Sequence, residues 1–133
     1  MAPSAYATIA TLSVKDKEIM YPEVPCIKSL DERNFIIKNN KVVVIYYHAK
    51  WCGPCKTFTN GFNKIANDFY KDDATKGLVF FAKEDVDLEL RNSPADPEVV
   101  PTFHFYKNGI FQTNMVLSGV NVEDIKNNVK KLL

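Results

Sequence analysis

Six consecutive residues, Val42-Val43-Val44-Ile45-Tyr46-Tyr47, are apolar or aromatic at every position. A strand with one face in water alternates, so this run needs cover on both faces, which marks a central strand lying between layers of helix. Three stretches offer that cover. Asp31 caps a helix running to about Asn39 that buries Phe35 and Ile36. After residue 52, Phe58, Phe62, Ile65, Ala66 and Phe69 fall on one helical stripe, interrupted by Gly61, where a bend or close packing is expected. A last helix, capped by Asn121, turns Val122, Ile125, Val129 and Leu132 inward. Its early Glu123 and Asp124 and late Lys130 and Lys131 match the helix dipole.

Further strands are expected at Cys26 to Leu30, Leu78 to Ala82, Thr102 to Tyr106 and Phe111 to Leu117, the last two joined by a tight hairpin at Asn108-Gly109. Pro94 and Pro97 exclude a long helix between Asp87 and Val100. The order is β-α-β-α-β-(turn)-β-β-α, an α/β chain with a central mixed sheet of four to five strands and helices on both faces. Residues 1–24 read as an N-terminal extension on the domain edge, a β-hairpin or partly disordered, because Pro22 and Pro25 break the chain before the regular pattern begins. Residues 25–133 form the domain.

The 133 residues suit one domain with a real core. Net charge is +1 and the lysines alternate with acids, which points away from nucleic acid as a partner. No apolar stretch approaches the roughly 18 residues of a membrane span. The first fourteen residues lack the basic and apolar pattern of a secretory signal, so a cytoplasmic protein is expected.

Between the central strand and the second helix lies Trp51-Cys52-Gly53-Pro54-Cys55-Lys56. If Gly53 and Pro54 open a helix, the two cysteines stand about 5 Å apart at Cα, inside the roughly 4.4 to 6.8 Å that a disulfide accepts. Pro54 fits a first turn, where an N–H has no partner to lose. Cys52 then faces unsatisfied N–H groups and the positive end of the dipole, which favour thiolate. Lys50 and Lys56 flank it. A structural disulfide closing so small a loop gains little, and a zinc site needs four ligands where only Cys26, His48 and His104 remain, scattered. Dithiol–disulfide exchange is the expected chemistry. Cys26 is expected as a small core residue and His104 as a sheet residue. His48 is expected as a partly exposed side chain near the motif, and Trp51 as an exposed platform beside the dithiol.

With W-C-G-P-C-K, with Val100-Pro101-Thr102-Phe103 about fifty residues on, and with this strand order, the chain from about 26 to 133 resembles the thioredoxin family. The resemblance implies the thioredoxin fold, a cis Pro101 beside Cys52 with nearby backbone free to pair with a substrate strand, and Gly109 and Gly119 in and after the hairpin. Lys83 falls where the family has a lysine near its buried cysteine. The implied activity is protein disulfide reduction, Cys52 attacking a substrate disulfide and Cys55 resolving the mixed disulfide. No cofactor is bound; electrons come from NADPH through a thioredoxin reductase, or else from glutathione, to a monomer acting on protein disulfides. A binding module with a vestigial dithiol, and an oxidase or isomerase, are the alternatives; Gly53-Pro54 speaks against the latter. The chain also departs from the family. Tyr46 stands where a buried aspartate is usual, Asn60 where the helix carries a proline, and His48 where tryptophan or serine is common; the third helix is largely missing. A phenol is a poor proton acceptor near neutral pH, so the step made by Cys55 is expected to be slow.

Overall fold

The computed structural model describes residues 19–90 and 97–133. Its sheet contains β1 (Cys26–Ile27), β2 (Val42–His48), β3 (Val79–Asp85), β4 (Thr102–Lys107), β5 (Ile110–Phe111) and β6 (Leu117–Ser118). The order across it is β1-β3-β2-β4-β5, with β6 also on β4. β1 and β2 run parallel to β3, while β4 is antiparallel to β2, β5 and β6. The apolar run is thus the centre of the sheet, and residues 42–47 are buried throughout.

Among the described residues, three helices cover the sheet, α1 (Leu30–Asn39), α2 (Gly53–Lys71) and α3 (Val122–Leu132). Alternation along the strands sorts the core into two layers. Val42, Val44, Tyr46, Phe81, Phe103 and Phe105 pack with α2 and α3 through Phe58, Phe62, Ile65, Phe69, Ile125 and Val129. Val43, Ile45, Tyr47, Ala82 and Tyr106 pack with Ile36 and Ile37 of α1. The rings of Tyr46, Phe58, Phe62 and Phe103 meet at centroid distances of 4.9 to 6.4 Å, each such pair worth about 0.5–1.5 kcal/mol beyond its buried area. A Cβ at Gly61 would lie 3.1 Å from the Phe58 ring, so the glycine permits close packing.

Several expected boundaries move. Ser29, not Asp31, caps α1: its hydroxyl accepts from the Glu32 N–H at 3.1 Å, and the Glu32 carboxylate accepts from the Lys28 N–H. The inward stripe of that helix is Arg33, Ile36 and Ile37, which leaves Phe35 68% exposed. Arg33 replaces it inside because Glu84 on β3 is buried and needs a cation; two hydrogen bonds of 2.8 and 3.0 Å join them. Leu78, expected in β3, precedes it and is exposed. Val122 of α3 is likewise exposed, while Ile125, Val129 and Leu132 are buried. The single strand expected at 111–117 is two short pieces on the outer edge of β4, parted by a 3-10 turn at Thr113–Met115. The Met115 carbonyl there accepts from the buried Asn128 side chain of α3, a tertiary tie with no local signal. Asn108 and Gly109 both have positive φ, 51° and 80°, as a two-residue hairpin requires.

Of the N-terminal extension, residues 1–18 lie outside the described residues. Residues 19–24 run along α2. Asn60 accepts from the Tyr21 N–H at 3.0 Å and donates to the Ile19 carbonyl at 2.8 Å. Asn63, buried, accepts from the Val24 N–H, and the Val24 side chain enters the α2-side core. Cys26, expected inside, is exposed. It lies on a two-residue edge strand whose alternate residue, Ile27, points inward instead.

Candidate active site

Cys52 and Cys55 are joined as a disulfide with Cα atoms 5.3 Å apart. Cys52 is the N-cap of α2, and Gly53 and Pro54 are its first helical residues. The Cys52 sulfur accepts from the Cys55 N–H at 3.2 Å, so a donor left over at the helix start faces the sulfur. The Cys52 N–H is held by the Ala49 carbonyl at the exit of β2. Both cysteines are buried in this state, 4% and 2% exposed. With the pair bonded, both pack against the α2-side core, and it is their place on the helix that distinguishes them.

Behind the dithiol stands Tyr46, fully buried and stacked on Phe103 at 5.0 Å. Its hydroxyl donates to the Cys55 carbonyl at 3.1 Å and lies 3.5 Å from the Thr59 hydroxyl. Thr59 donates to the same carbonyl at 2.8 Å. Burial pushes the Tyr46 phenol up, more than the Thr59 contact lowers it. Its ring is 5.5 Å from His48, which is half-buried as expected. Burial depresses the His48 pKa; Asp85, its partner across β3, opposes this, and the positive charge of Lys83 adds to it. Lys83 is directly opposite Tyr46 in the β2–β3 register, is buried, and binds the Glu23 carboxylate at 2.8 Å.

Trp51 is 67% exposed and donates Nε1 to both carboxylate oxygens of Asp87, at 3.1 and 3.3 Å. Asp87 lies in the 3-10 turn Val86–Leu88 that follows β3. Pro101 is buried after a cis Val100–Pro101 peptide. Its carbonyl accepts from the Gly119 N–H, and the Val99 carbonyl accepts from the Thr102 hydroxyl, so part of the backbone expected to be free there is engaged within the chain. Between Val86–Leu88 and β4 no α-helix occurs among the described residues.

A dithiol at a helix start, next to an exposed indole, in a chain that carries a buried cis proline just before β4, is the site of a thiol–disulfide oxidoreductase. A family profile for thioredoxin matches residues 26–131, and the chain belongs to the thioredoxin family. It is 33% identical to the thioredoxin of Coprinus comatus over 111 residues, covering 83% of this chain and 98% of the relative. With Gallus gallus thioredoxin identity is 35% over 94 residues, covering 70% and 81%. Plasmodium falciparum thioredoxin superposes with a TM-score of 0.65 at 30% identity, covering 81% of this chain and 98% of that one. The oxidised mitochondrial thioredoxin 3 of Saccharomyces cerevisiae gives 0.65 at 29%, covering 81% and 94%. The chain is a protein disulfide oxidoreductase of the thioredoxin fold. Disulfide-containing proteins and a thioredoxin reductase are the general kind of partner for such a protein. The family works without a bound cofactor, and among the described residues no group of His, Cys, Asp and Glu is arranged to hold a metal ion.

Three residues at the site escaped the sequence. Thr59 carried a signal: a threonine four residues after Cys55 on a helix is placed to bond back to its carbonyl. Asp87 and Glu23 carried none, because they reach Trp51 and Lys83 across 36 and 60 residues.

Proposed function

We propose that Cys52 is the nucleophile and Cys55 the resolving thiol of an NADPH-linked disulfide reductase. The observation that supports these roles is the Cys55 N–H aimed at the Cys52 sulfur from the start of α2. In the reduced state that donor and the helix dipole favour the Cys52 thiolate over the thiol. The thiolate attacks a substrate disulfide, forming one S–S bond to Cys52 and releasing the other substrate sulfur as thiolate. Cys55 then attacks the Cys52 sulfur; the 52–55 bond forms, the bond to substrate breaks, and two electrons have passed to the substrate. Trp51 and the Pro101 segment form the surface on which the substrate lies. Electrons return from NADPH through a thioredoxin reductase, and the protein works as a cytoplasmic monomer in electron transfer to protein disulfides.

An insulin-reduction assay coupled to NADPH and thioredoxin reductase tests the whole cycle, and turnover is expected. Cys55→Ser is expected to trap mixed disulfides through Cys52, and Cys52→Ser to trap none; equal trapping by both, read by mass spectrometry, overturns the assigned roles.

A further inference from the structure

We propose that the Tyr46 and Thr59 hydroxyls act as one clamp on the Cys55 main chain, and that this clamp positions Cys55 for resolution of the mixed disulfide. The inference rests on Cys52 being the nucleophile. Tyr46 projects from the middle of β2, and its ring is fixed on three sides, stacked on Phe103, 4.9 Å from Phe62 and edge-on to Phe58. The sheet therefore sets where the hydroxyl lies, and it lies on the Cys55 carbonyl at 3.1 Å. Thr59, one turn along α2, reaches that oxygen from the helix side at 2.8 Å. The two hydroxyls are 3.5 Å apart. One carbonyl in the first turn of the helix is thus gripped by a rigid strand and by the helix itself.

The gripped residue is the one whose geometry matters twice. Its N–H faces the Cys52 sulfur at 3.2 Å, and its own sulfur must approach Cys52 in line with the bond to substrate. While the mixed disulfide persists, no 52–55 bond holds the first turn closed. The clamp then remains as a tie between Cys55 and the sheet. In the resolving step the Cys55 thiolate displaces the substrate sulfur from Cys52; the 52–55 bond replaces the Cys52–substrate bond, and the leaving thiolate takes a proton from solvent. Tyr46 and Thr59 supply neither electrons nor protons to this exchange. They are positioning residues.

The test uses the full reduced chain carrying Cys26→Ser, because that exposed thiol would release an equivalent of its own, and a symmetric nitroaryl disulfide whose thiolate is coloured. Attack by Cys52 releases one equivalent and resolution by Cys55 the second, and stopped-flow absorbance separates the two. Tyr46→Phe keeps the stacked ring and removes only the hydroxyl; Thr59→Val keeps the shape of threonine. Each is expected to slow the second release by roughly fivefold, the worth of one net hydrogen bond, and to slow the first release less. Thr59→Ser, which keeps a hydroxyl, is expected to restore the second rate. Because both donors share one acceptor, the double variant is expected to fall short of the product of the single effects. A second release unchanged in Thr59→Val and in folded Tyr46→Phe overturns the clamp, as does an equal slowing of both releases. A Cys52→Ser chain that still gives the first release overturns the nucleophile assignment instead, and the clamp with it.

Discussion

The Glu23 carboxylate lies 2.8 Å from the Lys83 ammonium, joining the segment that precedes the first strand to β3, which pairs with the β2 strand behind the dithiol. The lysine is 8% exposed and the glutamate 70%. Lys83 pulls the Glu23 pKa down, by its hydrogen bond first and its charge second, against a small opposing effect of burial. A depressed carboxylate stabilises the fold above its free pKa of about 4.3 and loses that contribution as pH falls through the lower folded value. Glu23→Gln is therefore expected to destabilise the chain at pH 7 by about 1 kcal/mol, since the acid is well solvated and the pair is nearer a surface bridge than a buried one. Urea midpoints of the two proteins should converge as pH falls below about 4.3 and through the folded pKa of Glu23. A difference that persists there would show that the charge of Glu23 is not what matters.

The same segment sets the outcome of truncation. A chain beginning at Glu23 keeps the Lys83 pair and the buried Val24 but loses both contacts to Asn60. It is expected to fold and to reduce insulin at a similar rate. A chain beginning at Cys26 also gives up Val24 and leaves the buried Asn63 without its N–H donor. Its expected cost relative to the longer chain is about 3.5–5 kcal/mol, from roughly 1.5–3 for the buried valine, about 1 for the hydrogen bond and about 1 for the lost Glu23–Lys83 pair. Thermal denaturation of the two chains checks this; equal midpoints would place the edge of the domain after Val24.

What was readable in the sequence was what depends on neighbours along the chain. The β2 run, the amphipathic stripe of α2, the Asn121 cap and the Asn108-Gly109 turn each draw on a few adjacent residues, and each is in the structure. The dithiol was readable for the same reason, its spacing and its helix start being local. Phe35 misled because hydrophobicity alone assigned it to the core; the buried Glu84, 51 residues from Arg33, decided which face of α1 turns inward. Cys26 misled similarly, since a two-residue edge strand has room for one inward side chain and Ile27 takes it. The contact made by the Tyr46 hydroxyl had no local signal, for it meets a main-chain atom nine residues away.

His48 provides a second pH signature, separate from that of Glu23. Burial, aided by Lys83 and opposed by Asp85, depresses its pKa. Its free value is about 6.5. The unfolded chain takes up this proton before the folded one, so stability from neutral His48 is present above about pH 6.5 and is lost as pH falls through the folded pKa. The midpoint of its ring-proton titration by NMR is expected below 6.5. His48→Gln should flatten the stability profile just below that pH. A midpoint at or above 6.5 would mean that Asp85 outweighs burial.

The last prediction concerns the indole. Trp51 is two-thirds exposed, so packing restrains it little, and the hydrogen bond to the Asp87 carboxylate is the contact that sets its orientation beside the dithiol. A hydrogen bond to a charged acceptor is stronger than a neutral one, which suits it to hold a flat ring that must meet a substrate. Asp87→Ala removes the acceptor without touching the cysteines, Pro101 or the core. It is expected to leave stability within about 0.5 kcal/mol, as for an ordinary surface substitution, and to raise KM for insulin by roughly fivefold with kcat little changed, the pattern of lost substrate binding. Asp87→Asn keeps a carbonyl oxygen for Nε1 and should recover most of the loss. Trp51 is the only tryptophan of the chain, so its fluorescence anisotropy reads the indole directly. The ring should move more freely in Asp87→Ala than in Asp87→Asn. If anisotropy and KM are both unchanged in Asp87→Ala, the indole is held by the loop that carries it, and Asp87 has no part in substrate contact.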